Sequence, residues 1–399
     1  MTQDLVLFTA FGRRVGVLWW IGLLCLAEVL VGGLEVRTMA LTAIGACAFA
    51  LGAQGSRPLE GGQSQVVRGR RSQAEIRFHW EPYFLFALIG YQCLLLRGAV
   101  EGIAELGVRF RESYYEGGAA GSSIAFVLYE NFMIPVGIYA VARWLASRKK
   151  IGLWLVASVL FFVLDAALKA GRFPLYFLLF FLILARVLGV IRIRAWAMAL
   201  SATVMFGFAV AISAVRENLA LDDQLVAAFL KSSFVNYHVI GFFLFERISQ
   251  SALFADALGA GVYTLGFWPY AFSLLARRFG YDIAYAQQPL NLSLSSDWYF
   301  PGLGTYNAFG TNLLPLYLDA GYLGVALGFY VLGRLVAADV RSNGEVHPVN
   351  IVALFIMVFG VFQPLIMTAY FGVPVVLALL DGGARRLLLS VTGWVGQSE

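Results

Sequence analysis

Five arginines and three proton-accepting side chains mark where this chain could do chemistry. Arg172, Arg216, Arg247, Arg277 and Arg278 interrupt apolar sequence, and His238, Glu217 and Asp297 lie among them. A guanidinium stays charged and presents a planar fork matching two oxygens at once, so such a set suits a pyrophosphate that gains charge as it departs. A histidine or carboxylate beside it could take the proton from an attacking hydroxyl. Lys169, Tyr237, Trp298, Tyr299, Tyr306 and Asn307 add polar and aromatic groups that could contact a substrate. Asp165 and Lys169 are four apart and pair on one helical face. Arg172 has no such local partner, so it reads as a guanidinium open at the membrane surface, on a phosphate or a lipid headgroup.

The elements that must position these groups are membrane helices. Hydrophobic residues make up 60% of the chain and charged residues 13%, with a mean hydropathy of +0.76. Soluble domains carry roughly twice that charge. Alternating strands of about ten residues are absent, which removes the outer-membrane barrel. The reading is therefore an all-α, polytopic helical membrane protein, one integral domain over residues 1–399. About ten spans are expected, near 15–34, 38–53, 82–97, 123–144, 151–168, 173–190, 195–214, 313–337, 349–363 and 364–381, the last pair readable as one helix broken around Pro364 and Pro374. Arg13 and Arg14 ahead of the first run suggest an uncleaved anchor. Cys25, Cys47 and Cys93 all lie in apolar runs and read as lipid- or core-facing thiols; His79, His238 and His347 are scattered, without the spacing of a metal site.

Orientation follows from Lys and Arg. With the N-terminus inside, most of the 29 cationic residues fall in inner loops, among them Arg143, Arg148, Lys149 and Lys150. Both termini are then cytoplasmic. Residues 54–81 read as a flexible cytoplasmic loop near anionic lipid, and 101–123 as an outer segment, either a solvated amphipathic turn or a short interfacial helix. Glu130, inside the fourth span, should face the bundle interior and pair with an arginine; Glu28 is expected at the interface.

Residues 215–312 form the large outer segment between the seventh and eighth spans. Leu225 to Phe254 reads as one or two partly embedded helices, and Leu265 to Phe279, with its aromatics followed by Arg277-Arg278, as a segment at headgroup level or a lipid-pyrophosphate pocket. Gly302, Gly304 and Gly310 permit tight irregular backbone. Thr311 or Asn312 is placed to cap the next helix, where Gly321, Gly324 and Gly328 suit close helix packing.

With these residues in view, the sequence resembles the Wzy-type O-antigen or capsule polymerases, the oligosaccharide repeat-unit polymerases. The resemblance rests on Gly171-Arg172 opening a span, Arg216 after the following pair, Tyr237-His238-Val-Ile-Gly241-Phe, and Thr305-Tyr-Asn307 through Tyr317-Leu-Asp319-Ala-Gly321-Tyr-Leu-Gly324, and covers about residues 125 to 381 in order. It implies a GT-C-like fold in a bacterial inner membrane with a periplasmic active site, no metal and no cofactor. It also implies undecaprenyl-pyrophosphate-linked repeat units as substrate, a chain-length regulator and a flippase as pathway partners, and no nucleic acid. A duplicated arginine-rich loop, described for some members, is not found here. Competing readings are an O-antigen ligase or other lipid-linked-sugar glycosyltransferase, a flippase for the same lipid-linked sugar, and a membrane acyltransferase. The absence of an internal repeat weighs against the flippase.

Overall fold

The computed structural model describes residues 3–54, 79–97, 128–169, 171–192, 194–217, 237–254, 259–281, 283, 288–296, 298–300, 304–306, 311–338, 345–361, 363–378 and 380–381. Among them are thirteen α-helices: α1 Gln3–Leu30, α2 Val36–Gly52, α3 Glu81–Arg97, α4 Ile134–Ser147, α5 Ile151–Leu168, α6 Phe173–Val187, α7 Ala195–Glu217, α8 Tyr237–Ser249, α9 Phe267–Arg278, α10 Gln288–Ser295, α11 Leu313–Ala337, α12 Pro348–Phe359 and α13 Ala369–Ala378. The all-α reading is right in outline. Among the described residues two helices, α5 and α11, are long and apolar enough to cross a membrane. Further apolar helical stretches among the described residues, such as Val36–Gly52, Phe173–Val187 and Pro348–Phe359, are 10–17 residues long, and at about 1.5 Å per residue these fall short of a hydrocarbon core about 30 Å thick.

The centre is α12, buried along its whole length. A helix apolar on every side must be surrounded, and α1, α4, α11 and α13 surround it. Phe355 and Phe359 of α12 interlock with Phe177 and Phe180 of α6 at centroid distances of 4.8–5.8 Å. The last carbonyls of a helix have no partner within it, and here they are met by side chains from elsewhere. Trp20 Nε1 donates to Met357 O and Trp19 Nε1 to Val358 O, both at 2.8 Å, while Asn312 Nδ2 donates to Ile356 O at 3.1 Å. Asn312 also donates its backbone N–H to Gly360 O and accepts from Ile366 N. That clamp holds the chain where it breaks before a 3-10 turn, Leu365–Met367. Pro364 thus sits at a break, as expected, whereas Pro374 lies within α13. Asn312 is spent on this clamp, so the side chain that caps α11 is Thr311, whose Oγ1 accepts from Leu313 N.

Contacts sort the helix ends into two groups. At one end, Arg148 pairs with Asp4 at 3.1 Å, Arg143 bridges Glu81 and Asp381, and Lys149 Nζ meets His79 Nε2 at 2.8 Å. His347 and Asn350 form a capping box on α12 there, and Asn350 Nδ2 closes the C-terminus of α11 through Leu335 O and Ala338 O. At the opposite end lie the α1–α2 connection, Lys169 and the start of α6. Glu28 is there too, accepting from Leu34 N at 3.1 Å.

Glycine has two distinct uses here. Gly52 of α2 and Gly333 of α11 lie where the helices touch backbone to backbone: a Cβ on Gly52 would meet Tyr330 O, and one on Gly333 would meet Phe49 O. Gly321 does something else. It was expected to pack against a neighbouring helix, but with φ 58° it follows a non-helical Ala320 and breaks α11. The left-handed conformation is what glycine tolerates without cost. The break turns residues 313–319 back on the rest of the helix, so Gly324 and Gly328 receive Leu316 of their own helix rather than another span.

Candidate functional site

Among the described residues, the best defined polar group lies at the end of the bundle that holds Lys169 and is built around Lys169 itself. The hairpin between α5 and α6 closes with Lys169 N donating to Asp165 O and Gly171 N to Ala166 O. Lys169 Nζ lies 3.0 Å from Asp165 Oδ2, the pairing that the spacing predicts, and 2.9 Å from Glu130 Oε1. Tyr129 OH donates to Asp165 Oδ1 at 2.8 Å, and Gln92 Nε2 donates to Tyr129 OH at 3.0 Å and to Phe161 O at 3.3 Å. One ammonium therefore gathers two carboxylates, a phenol and an amide from α3, α5 and the turn before α4. That turn, Tyr129–Met133, is a π-helix, a local insertion frequent at functional sites.

Two expectations change here. Glu130 faces the interior but its partner is Lys169, not an arginine. Lys169, expected to touch substrate, is instead committed to Glu130 and Asp165, and Asp165 is only 1% exposed. Charges at such depth are retained when paired and hydrogen-bonded; Lys169 is paired with both carboxylates, and Asp165 is hydrogen-bonded by Tyr129 and Lys169.

Arg172 differs as well. It is the N-cap residue of α6 but is 8% exposed, so its guanidinium sits inside the hairpin end rather than open on the surface. Its positive charge acts on Tyr176 one turn along. The N-terminus of a fifteen-residue helix carries positive partial charge, and Arg172 adds a full one.

The remaining predicted residues divide by what is described. Arg216 and Glu217 are the last two residues of α7, which packs on α6 through Ala209 and Val210 against Leu175; α6 leaves the Lys169 end and α7 returns to it. Tyr237 and His238 open α8, and Arg277 and Arg278 close α9. For these six the backbone is described and the side chains are outside the described residues. Asp297 and Asn307 are wholly outside them.

Arg247, on α8, is exposed, with its guanidinium 5.9 Å from the centroid of Phe300. α8 is no span. Its buried face, Val239, Ile240, Phe242 and Phe245, is seated on α1, α2 and α11. Glu35 N donates to Glu246 Oε1 at 2.7 Å, and Arg37 Nη2 donates to Ser249 Oγ at 3.0 Å while lying over the rings of Phe245 and Tyr317.

The tight stretch expected as irregular backbone contains a two-stranded antiparallel hairpin, β1 Trp298–Phe300 and β2 Gly304–Tyr306, with Trp298 opposite Tyr306. Trp298 Nε1 donates to Ser293 O at 2.7 Å, Tyr299 is exposed, and Phe300 is buried. Tyr299 thus presents its ring to the surroundings.

Sequence reasoning missed Tyr129 and Gln92. A lone glutamine inside the apolar run of α3 was the available signal, because a buried amide demands partners. Among the described residues no group of three or more His, Cys, Asp or Glu side chains could hold a metal ion. No protein-family model, no curated protein and no solved structure matches the chain.

Proposed function

We propose that this chain is a membrane glycosyltransferase that joins lipid-pyrophosphate-linked oligosaccharide repeat units, as the polymerases it resembles do. The observation that carries the reading is Arg172: a buried guanidinium at a helix N-terminus, at the bundle end where α7 also terminates in Arg216. Positive partial charge from the helix and full charge from the arginine act together on an anion held there. In the reaction, an acceptor sugar hydroxyl attacks the anomeric carbon of the donor chain. The bond from that carbon to the pyrophosphate oxygen breaks, and the lipid pyrophosphate leaves with the electron pair. Arg172 and Arg216 would neutralise that departing charge, and His238, Glu217 or Asp297 would take the hydroxyl proton. The apolar helices supply a surface for the lipid tails. This reading assigns the protein to a bacterial inner membrane with the active site on its periplasmic side.

The test is polymer length in cells. Arg172→Ala or Arg216→Ala should leave lipid carrying single repeats and no long-chain ladder. A normal ladder from both variants removes these arginines from the site. Full polymerisation by His238→Gln would exclude it as the base and shift attention to Asp297. An acceptor assay with purified protein separates repeat-unit transfer from transfer to lipid A core.

A further inference from the structure

The amphipathic helix α9, in the segment ahead of α11, presents two neighbouring apolar faces about 100° apart, and the bundle packs on one of them. Phe267 and Ala271, one turn apart, pack on Ala369 and Val373 of α13 and on Val136 of α4. The other face carries Trp268 at 45% exposure and Phe272 at 62%, flanked by Leu265 and Phe279, also exposed. At helical pitch Trp268 and Phe272 lie about 40° apart on one face of α9, and Leu265 and Phe279 stand just beyond its two ends, extending the stripe. Large exposed apolar patches mark contacts with something other than water.

We infer that this stripe is immersed in the bilayer, with α9 seated at the outer headgroup boundary of the membrane that the longer helices cross. Three observations name lipid as the occupant. The stripe is continuous with the apolar outside of the bundle: Phe132, part-exposed on the π-turn, meets Phe267 edge-on at 5.8 Å, and Phe267 meets Trp268 at 5.0 Å. α5 and α11 expose the same kind of surface, with Val156, Leu160, Leu323 and Leu327 bare. The helix ends in Arg277-Arg278, and aromatic residues followed by arginines are the composition of the boundary between acyl chains and anionic headgroups. The consequence is that α9 tethers the outer segment to the membrane plane. The inference rests on the membrane reading but not on glycosyl transfer.

Spin labels on the full chain test it. In a Cys25→Ala/Cys47→Ala/Cys93→Ala background, single labels replace Phe272, Leu265, Ser296 or Val156, and the protein is reconstituted in phosphatidylethanolamine–phosphatidylglycerol vesicles. All four sites are exposed, so folding does not depend on them. Labels at Phe272 and Leu265 should be relaxed by oxygen and shielded from a water-soluble nickel chelate, at depths of about 5–10 Å below the phosphates. The label at Ser296 should show the reverse. If the Phe272 and Leu265 labels are as open to nickel as that at Ser296 while Val156 is shielded, the inference fails and the membrane reading stands. If Val156 is also open to nickel, both fail. Spin–spin broadening at Phe272 would instead make the stripe a contact between two copies and overturn the lipid assignment.

Discussion

Lys169 Nζ lies 2.9 Å from Glu130 Oε1, joining the end of the α5 helix to a π-turn that precedes the next helix inward. The same ammonium holds Asp165, so two carboxylates depend on one cation, and the cation cannot be lost without leaving both unbalanced.

Lys169→Met should therefore be the most damaging substitution in this cluster. Removing one partner of a buried ion pair costs about 3–5 kcal/mol, because the remaining charge is left uncompensated. Glu130→Gln keeps Lys169 paired with Asp165 and should cost less, about 1–3 kcal/mol. Thermal unfolding in detergent gives the order. A Glu130→Gln variant less stable than Lys169→Met would remove Lys169 from the centre of the network.

The crossing of α2 and α11 predicts a contrast between two glycines. Gly333→Ala drives a methyl into the backbone of Phe49 and Ala53 and should destabilise by about 1–3 kcal/mol. Gly90, in α3, has nothing within 4 Å of where its Cβ would be, so Gly90→Ala should be neutral or stabilise by up to about 1 kcal/mol. Equal unfolding midpoints for the two would mean that the helices do not touch at Gly333.

Glu246 makes the docking of α8 sensitive to pH. Burial pushes its carboxyl above the ordinary carboxylate range, against the opposing effects of Thr38, the Glu35 backbone N–H and Arg37, while the Glu35 carboxylate adds a little to the rise. The folded state thus holds the proton more tightly than the unfolded one. The docking is strongest below the ordinary carboxylate pKa and weakens as pH rises through the raised value. Hydrogen exchange of the α8 amides should accelerate over that interval, and Glu246→Gln, which can still accept from Glu35 N, should flatten the profile. An unchanged profile in the glutamine variant would place the titrating group elsewhere.

Two predictions stand with the proposals that motivate them: loss of the polymer ladder on replacing Arg172 or Arg216, and immersion of labels at Phe272 and Leu265.

Helices were legible where apolar runs are bounded by charge. Residues 151–168 and 313–337 are helical over the bounds their composition predicts, since Lys149-Lys150 and Lys169 stop one run and polar residues flank the other. The start of α1 was not, because Gln3 to Arg14 is too polar to read as span, yet it continues as helix and is tied down by the Asp4–Arg148 pair. The Asp165–Lys169 contact follows from spacing alone. The partner of Glu130 does not, because it comes from a different helix. The break in α11 was misread for a related reason: a Gly-x-x-Gly pattern is compatible with close packing, and only the backbone reveals that Gly321 has left the helix.

That break has neighbours. Asp319, just before it, accepts from Tyr263 N at 2.9 Å and Thr264 N at 2.8 Å, while Gly259 N and Ala260 N donate to Leu318 O and Asp319 O. Residues 259–264 and the interrupted helix are stitched as one piece. A replacement of residues 259–264 must therefore keep the turn that aims the backbone N–H groups of positions 263 and 264 at Asp319, or it will strand a buried carboxylate and open the interrupted helix at once.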